Sequence, residues 1–248
     1  MTEAMRRAAR EIVRTGETAG SPVRLFGGLA IFERCGERTR AALGRAYADI
    51  DLVAHRRGSR ELRELLEREG YEPERVFNAT HGAGRLLYHA GDRAFHVDVF
   101  LDRFEMSHKL DFSERLELEP LTLPAADLML ATLQVAEVNR KDLTDVAMLL
   151  LDHELADVDG EGRLNAAHLA GVLAEDWGLT TTSLDNLDKL DALTPELELE
   201  REQRDRLAER SARLRERIER QPKSRGWKLR AKLGRRKRWY EIPEEVVR

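Results

Sequence analysis

The sequence predicts an α/β protein of the α+β kind, in which a mixed sheet with flanking helices is followed by a mainly helical C-terminal region. Up to about residue 120, short apolar or alternating runs typical of strands are interspersed with segments of helical period. From Pro124 onwards the helical period dominates, and the apolar faces are wide. We therefore predict three parts, at 1–120, 121–221 and 222–248.

The first part is predicted to mix helices and strands. A Gly/Ser/Pro break at 20–22 separates the first helix from the first strand, and the turn sequence 90–93 indicates a hairpin. The predicted elements are a helix over 3–15, a strand over 23–26, a short helix over 29–32, an arginine-rich polar loop, a strand over 49–53, a helix over 59–69, and hairpin strands over 85–89 and 94–100.

The second part is predicted to be a set of packed helices. Two of them have broad apolar faces, one opening at Pro124 and one near Lys141. A third is expected over 165–176, followed by a polar stretch and then by a highly charged helix over 196–221. No internal repeat is visible.

Composition indicates a globular protein, with 42% apolar and 35% charged residues. A single cysteine, Cys35, excludes an internal disulfide framework and a multi-cysteine zinc site. Neither an N-terminal signal nor a run of 18 or more apolar residues is present. We therefore expect a cytoplasmic protein without a membrane partner.

Two carboxylates alternate with apolar residues in Asp-Ile-Asp-Leu-Val. Side chains two apart on a strand share a face, so Asp49 and Asp51 point the same way while Ile50 and Leu52 point into the core. Like charges at an interior strand repel unless a cation lies between them. This favours a metal-binding pair over the alternative of a solvated edge strand.

A third carboxylate and a glycine turn complete the constellation. Asp98 follows in His-Val-Asp-Val-Phe, and Gly27 and Gly28 follow a short apolar run. If Asp98 lies on a neighbouring strand, three oxygen ligands converge beside a turn whose bare backbone can approach phosphates. That arrangement suits Mg²⁺ and a nucleoside triphosphate.

The succession Leu-Phe-Gly-Gly-Leu-Ala, Asp-Ile-Asp-Leu-Val and Val-Asp-Val-Phe resembles the nucleotidyltransferase fold of the polymerase-beta-like superfamily. A later helix pair containing Leu-Gln-Val-Ala-Glu-Val-Asn-Arg-Lys-Asp-Leu-Thr-Asp extends the resemblance, which covers roughly 22–152. The branch it resembles within the superfamily is the AbiEii-type nucleotidyltransferases and their uncharacterised relatives. The resemblance implies a nucleotidyltransferase-like catalytic core over 1–120.

The resemblance also implies residue roles. The catalytic metal ligands that it implies are Asp49, Asp51 and Asp98. The triphosphate-binding turn that it implies consists of Gly27 and Gly28. A nucleoside monophosphate is then transferred from the triphosphate to an acceptor hydroxyl, which is either a small molecule or a macromolecule such as tRNA or a protein. The AbiEii likeness further suggests a toxin with an antitoxin partner.

The chain departs from the family pattern at two positions. A serine often follows the first glycine, where this chain has Gly28, and a lysine expected before Leu-Gln is replaced by Thr132. Arg45 and Lys141 are the basic residues we expect to substitute in binding the nucleotide. Lys141 has an alternative role, an ordinary surface pair with Asp145.

Other metal patterns are weak. The histidines show no i,i+4 pairing and no cysteine partner, so a zinc site is not expected. His96 lies two residues before Asp98 on the same strand face and is a candidate to support it. A calcium-like run from Asp157 has His168 at the twelfth position instead of glutamate, which favours a plain turn.

The C-terminal tail is strongly basic. Nine cations lie within residues 223–238 without an intervening acid, interleaved with or followed by Trp227, Trp239 and Tyr240. Cations that neutralise phosphates beside stacking rings are typical of RNA or DNA contact. The alternative is a tail that packs against the acidic segment 196–202 or against another subunit. A non-catalytic nucleotide- or nucleic-acid-binding protein remains the alternative to an enzyme.

Overall fold

The computed structural model describes residues 3–242, so residues 243–248 of the predicted tail lie outside the described residues. The α+β class is confirmed. The helices are α1 (Glu3–Thr18), α2 (Gly27–Arg34), α3 (Glu37–Leu43), α4 (Ser59–Arg68), α5 (Arg75–His81), α6 (Ala125–Leu133), α7 (Arg140–Asp152), α8 (Ala166–Glu175), α9 (Trp177–Leu193), α10 (Arg201–Arg220) and α11 (Arg225–Ala231). The strands are β1 (Val23–Phe26), β2 (Asp49–Ala54), β3 (Glu72–Pro73), β4 (Arg85–His89), β5 (His96–Leu101), β6 (Arg103–Glu105), β7 (Lys109–Asp111), β8 (Glu154–Ala156) and β9 (Arg163–Asn165).

The chain divides into two compact units. The first comprises Met1–Glu33, Arg45–Phe104 and Leu110–Pro124. The second comprises Arg34–Gly44, Glu105–Lys109 and Ala125–Arg248. The described part of the basic tail therefore belongs to the helical unit.

The first unit is built on a five-stranded mixed sheet of order β1-β2-β5-β4-β3. Only the β2–β5 pair is parallel, and β4 and β5 form the predicted antiparallel hairpin. The parallel register places Asp51 opposite Asp98, and the hairpin register places Leu87 opposite Asp98. The central strand β5 thus carries Asp98 between β2 and β4.

One face of this sheet holds the core of the first unit. Ile50, Leu52, Val97 and Val99 alternate along β2 and β5 and are fully buried. Helix α1 buries its apolar side and packs on β1 and beside α4. Since side chains alternate along a strand, Asp49, Asp51 and Asp98 lie on the other face.

The second unit is mainly helical. Helices α6 and α7 bury nearly all their apolar residues and pack together, as predicted. Helix α10 begins at Arg201 and not at 196, and its sparse apolar stripe packs on α7 and α8. Within residues 3–242, no helix combines the length and apolar character needed to span a bilayer.

Two predicted loops are helices. The arginine-rich loop contains α3, and the polar stretch after 176 contains the 17-residue helix α9. Helix α9 buries polar side chains that have tertiary partners: Asn186 Nδ2 lies 2.9 Å from Leu133 O and 2.7 Å from Val135 O. Because these buried positions are polar, the apolar periodicity of α9 is weak.

Candidate active site

Asp49 and Asp51 share one face of β2. Both are half-buried, whereas the alternating Ile50 and Leu52 are buried in the core. Across the parallel pair, Asp51 is in register with Asp98. Neighbouring strands lie about 4.8 Å apart, so the structure brings these three carboxylate-bearing positions onto one small area of the sheet.

The glycine turn lies against the second carboxylate. Gly27 begins α2 directly after β1, with φ at +64°, where a residue with a side chain is strained. A Cβ at position 27 would overlap Asp51 Oδ2 and lie 3.1 Å from Asp51 Cγ. Gly28 follows in the first turn of α2, where backbone N–H groups have no partner within the helix. The site thus combines carboxylates with a helix start that can donate to an anion.

Asp98 is held by an arginine that the sequence analysis did not assign to the site. Arg85 Nε donates to Asp98 Oδ1 at 2.7 Å, and Arg85 Nη2 donates to Asp98 Oδ2. The Asp98 side chain is only 3% exposed, and that of Arg85 is 30% exposed. The guanidinium also lies 4.9 Å from the Phe100 ring centroid and 5.6 Å from that of Phe77. Aromatic contacts and a two-point ion pair fix its position.

Electrostatics tie this arginine to two of the predicted ligands. Burial alone would lower the pKa of Arg85. The hydrogen bond and charge of Asp98, together with the charge of Asp51, outweigh burial, so the pKa of Arg85 lies above its ordinary value. Arg85 therefore supplies positive charge to the carboxylate face.

Two further side chains lie near the start of β2. His96 is opposite Asp49 in the parallel register, and His96 Nε2 lies 3.4 Å from Asp49 Oδ2. Arg45 precedes β2, and its guanidinium carbon lies 4.3 Å from the centroid of the Tyr47 ring. His96 therefore supports Asp49 instead of Asp98.

Lys141 and Thr132 belong to the second unit. Lys141 is exposed in the first turn of α7, where its backbone N–H donates to Asn139 Oδ1 at 2.8 Å. Asp142 completes a capping box with Asn139. The Thr132 hydroxyl donates to Leu128 O at 3.0 Å, so it serves its own helix.

The donor set suits a hard cation only in part. Carboxylate oxygens are the ligands that Mg²⁺ prefers, and Asp49 and Asp51 present them on one face. Asp98 is engaged by Arg85, and among residues 3–242 no group of three or more His, Cys, Asp or Glu side chains is arranged to hold a metal ion. Two carboxylates, those of Asp49 and Asp51, thus share one face of β2, and the third is paired with Arg85.

A sequence signal for Arg85 did exist. In the hairpin, Leu87 lies opposite Asp98, so Arg85 is the diagonal neighbour of Asp98 on the same face. Long side chains bridge such diagonal positions. Pairing the residues of the two predicted hairpin strands would have placed Arg85 beside Asp98.

Comparison with known proteins adds no identification: neither a family model nor a curated protein matches the chain.

Proposed function

We propose that the chain is a Mg²⁺-dependent nucleotidyltransferase that moves a nucleoside monophosphate from a triphosphate to an acceptor hydroxyl. The observation that carries this proposal is the alignment of Asp51 with Asp98 beside Gly27, whose backbone packs against the Asp51 carboxylate. A negatively charged strand face next to a helix start can hold a metal–triphosphate complex. The resemblance of the motifs to the polymerase-beta-like superfamily supports the same function.

Asp49 and Asp51 would hold the metal ion, and Asp98 would join them after releasing Arg85. When bound, Mg²⁺ neutralises triphosphate charge and lowers the pKa of an acceptor hydroxyl. Asp98 would then also accept the proton of that hydroxyl. Once released, Arg85 is the cation that we propose to contact a phosphate oxygen, because it lies on the same strand face as Asp98.

Gly27 and Gly28 orient the triphosphate through backbone N–H groups at the start of α2. Arg45, on the segment leading into β2, is the proposed side-chain contact in place of the missing family lysine. The hydroxyl oxygen then forms a bond with the α-phosphorus, the bond between that phosphorus and the bridging oxygen breaks, and pyrophosphate leaves.

A non-catalytic nucleotide-binding protein is the second candidate. The two-point contact of Arg85 with Asp98 favours it, because a guanidinium that stays paired with Asp98 would keep the third carboxylate from a metal ion. RNA bound through the basic tail and an antitoxin are the proposed macromolecular partners, the latter only from the AbiEii likeness. A cytoplasmic location fits these partners.

A transfer assay separates the two candidates. The purified chain is incubated with each α-³²P-labelled nucleoside triphosphate, Mg²⁺ and total RNA, and products are resolved together with the protein itself. An enzyme transfers label to RNA or protein, and the Asp49→Asn variant does not. Nucleotide binding without transfer of label to any acceptor, including added small alcohols, would support the non-catalytic candidate.

A further inference from the structure

The basic tail, as far as residue 242, has a defined structure in the second unit. Its described part contains the short helix α11, a 3-10 turn over Gly234–Arg236 and a stretch without regular secondary structure to residue 242. Helix α11 makes its main contacts with α8 and α9, whereas the acidic segment 196–202 was the alternative packing partner expected for the tail. The tail is therefore one wall of a surface on the helical unit.

Polar contacts fix the aromatic rings of the tail. Trp227 Nε1 donates to Thr180 Oγ1 at 3.0 Å, and Trp239 Nε1 donates to Thr182 Oγ1 at 3.1 Å. The backbone of Trp239 also lies so close to Gly178 that a Cβ there would meet Trp239 O at 2.7 Å. The two indoles are thus anchored on the first turns of α9 while their rings stay half-exposed.

A cleft of about 640 Å³ opens between α9 and the tail. Four half-exposed aromatic rings line it, together with basic side chains; the rings are Trp177, Trp227, Trp239 and Tyr240. Sites for small organic ligands usually measure about 300–1,000 Å³. The cleft has room for a nucleotide, and its walls offer flat surfaces.

Guanidinium groups add further flat surfaces. Arg230 lies 4.7 Å from the Trp177 ring centroid, and Arg238 lies 5.2 Å from that of Tyr240. Arg230 is itself held in place, since its Nη1 donates to Gly234 O at 2.9 Å and its Nη2 to Lys237 O at 2.8 Å. Unpaired bases stack on aromatic rings and on arginine planes alike.

The charge of the cleft is mixed, but the tail continues the positive charge beyond it. Lys109, Arg230, Lys237 and Arg238 line the cleft, as do Glu175, Asp176 and Glu241. Asp176 accepts the N–H of Leu179 at the start of α9 and so serves as a helix cap. Exposed cations on the tail extend past the cleft: Arg225, Lys228, Lys232 and Arg236. A chain of phosphates matches this distribution better than a single small anion does.

We propose that the cleft binds unpaired bases of a single-stranded polynucleotide, whose phosphates follow the exposed cations of the tail. Base stacking gives the cleft its preference for a nucleic acid over other polyanions. The proposal is independent of the carboxylate site, because it requires neither a triphosphate nor Mg²⁺.

Fluorescence anisotropy of the full chain with labelled oligouridylate and oligodeoxythymidylate, without nucleotide or Mg²⁺, tests the proposal. We expect binding with quenched tryptophan emission and an affinity that falls with salt, by about 0.7 log unit of affinity per log unit of salt for each phosphate contact. Inorganic polyphosphate should compete poorly. Equal competition by polyphosphate, or tighter binding of phosphatidylserine vesicles, would overturn the assignment of the cleft to bases.

Single variants distinguish binding in the cleft from a general effect of the protein's positive charges. Arg238→Ala should reduce affinity by at least about threefold, whereas Arg201→Ala, which removes the same charge from an exposed position at the start of α10, should not change it. Trp177→Ala should reduce affinity at least about fivefold, the lower range for loss of one stacked base, and Trp177→Phe should restore most of it. Circular dichroism and thermal unfolding confirm that each variant folds. Equal effects of the two arginine variants, or none from folded Trp177→Ala, would overturn the proposal.

Discussion

The Arg85 guanidinium meets the Asp98 carboxylate through two hydrogen bonds, with 2.7 Å between Arg85 Nε and Asp98 Oδ1. This pair occupies the strand face on which Asp49 and Asp51 lie. Its position makes Arg85 the internal counter-ion of an otherwise acidic site.

Arg85→Met should destabilise the first unit by roughly 2–4 kcal/mol, because Asp98 then remains buried beside other carboxylates without its partner. Mg²⁺ should stabilise this variant more than the wild-type protein. Urea unfolding with and without Mg²⁺ measures both effects. The double variant Arg85→Met/Asp98→Asn should recover most of the lost stability, and a double variant as unstable as the single one would contradict the role of the ion pair.

Gly27→Ala should cost more stability than Gly20→Ala, although both glycines have positive φ. Each substitution adds roughly 1–2 kcal/mol of backbone strain. Only at position 27 does the new Cβ overlap the Asp51 carboxylate, whereas nothing lies within 4 Å at position 20. Comparison of the two unfolding free energies isolates the contact, and equal losses would show that Gly27 does not constrain Asp51.

Only part of the carboxylate face and of the fold could be predicted from the sequence. The alternation in β2 was sufficient to place Asp49 and Asp51 on one face, since strand period and core burial determine it. Asp98 joins that face only because β5 pairs with β2, which the sequence left as a condition. Arg85 required the hairpin register as well. Helix α9 could not be predicted from apolar period, because its buried Ser183 and Asn186 depend on the fold around them.

Acid should destabilise the second unit through His153. Burial, followed by the charge of Arg34, lowers the pKa of His153 to about 4. The unfolded chain binds this proton near pH 6.5, so folded stability is lost as the pH falls from about 6.5 towards 4, by up to roughly 3 kcal/mol. His108, whose pKa burial also lowers, contributes in the same direction.

Urea unfolding of the wild-type protein and His153→Gln at neutral pH and near pH 5 measures this effect. Substitution removes one titrating group, so the variant should lose less stability on acidification than the wild-type protein. An identical loss in the two proteins would mean that His153 does not titrate on unfolding.

Cys35 should be inert in the folded protein. Its thiol is buried, and burial, together with the charge of Asp152, raises its pKa above the ordinary value. The thiolate is the reactive form, so iodoacetamide at mildly alkaline pH should label Cys35 only after unfolding in guanidinium. Mass spectrometry of the labelled chain gives the extent of reaction, and rapid labelling of the folded chain would contradict this burial.

The central claim is that the carboxylate face holds a metal–triphosphate complex, and calorimetric titration with non-hydrolysable nucleoside triphosphate analogues tests it most directly. The wild-type protein should bind at least one analogue only when Mg²⁺ is present. Asp51→Asn should weaken that binding at least about tenfold, as expected for the loss of a charged ligand from a metal site. Asp92→Asn, the same substitution in the exposed hairpin turn, should leave it unchanged. Binding that is absent with every analogue, or that Asp51→Asn and Asp92→Asn leave equally intact, would contradict the claim.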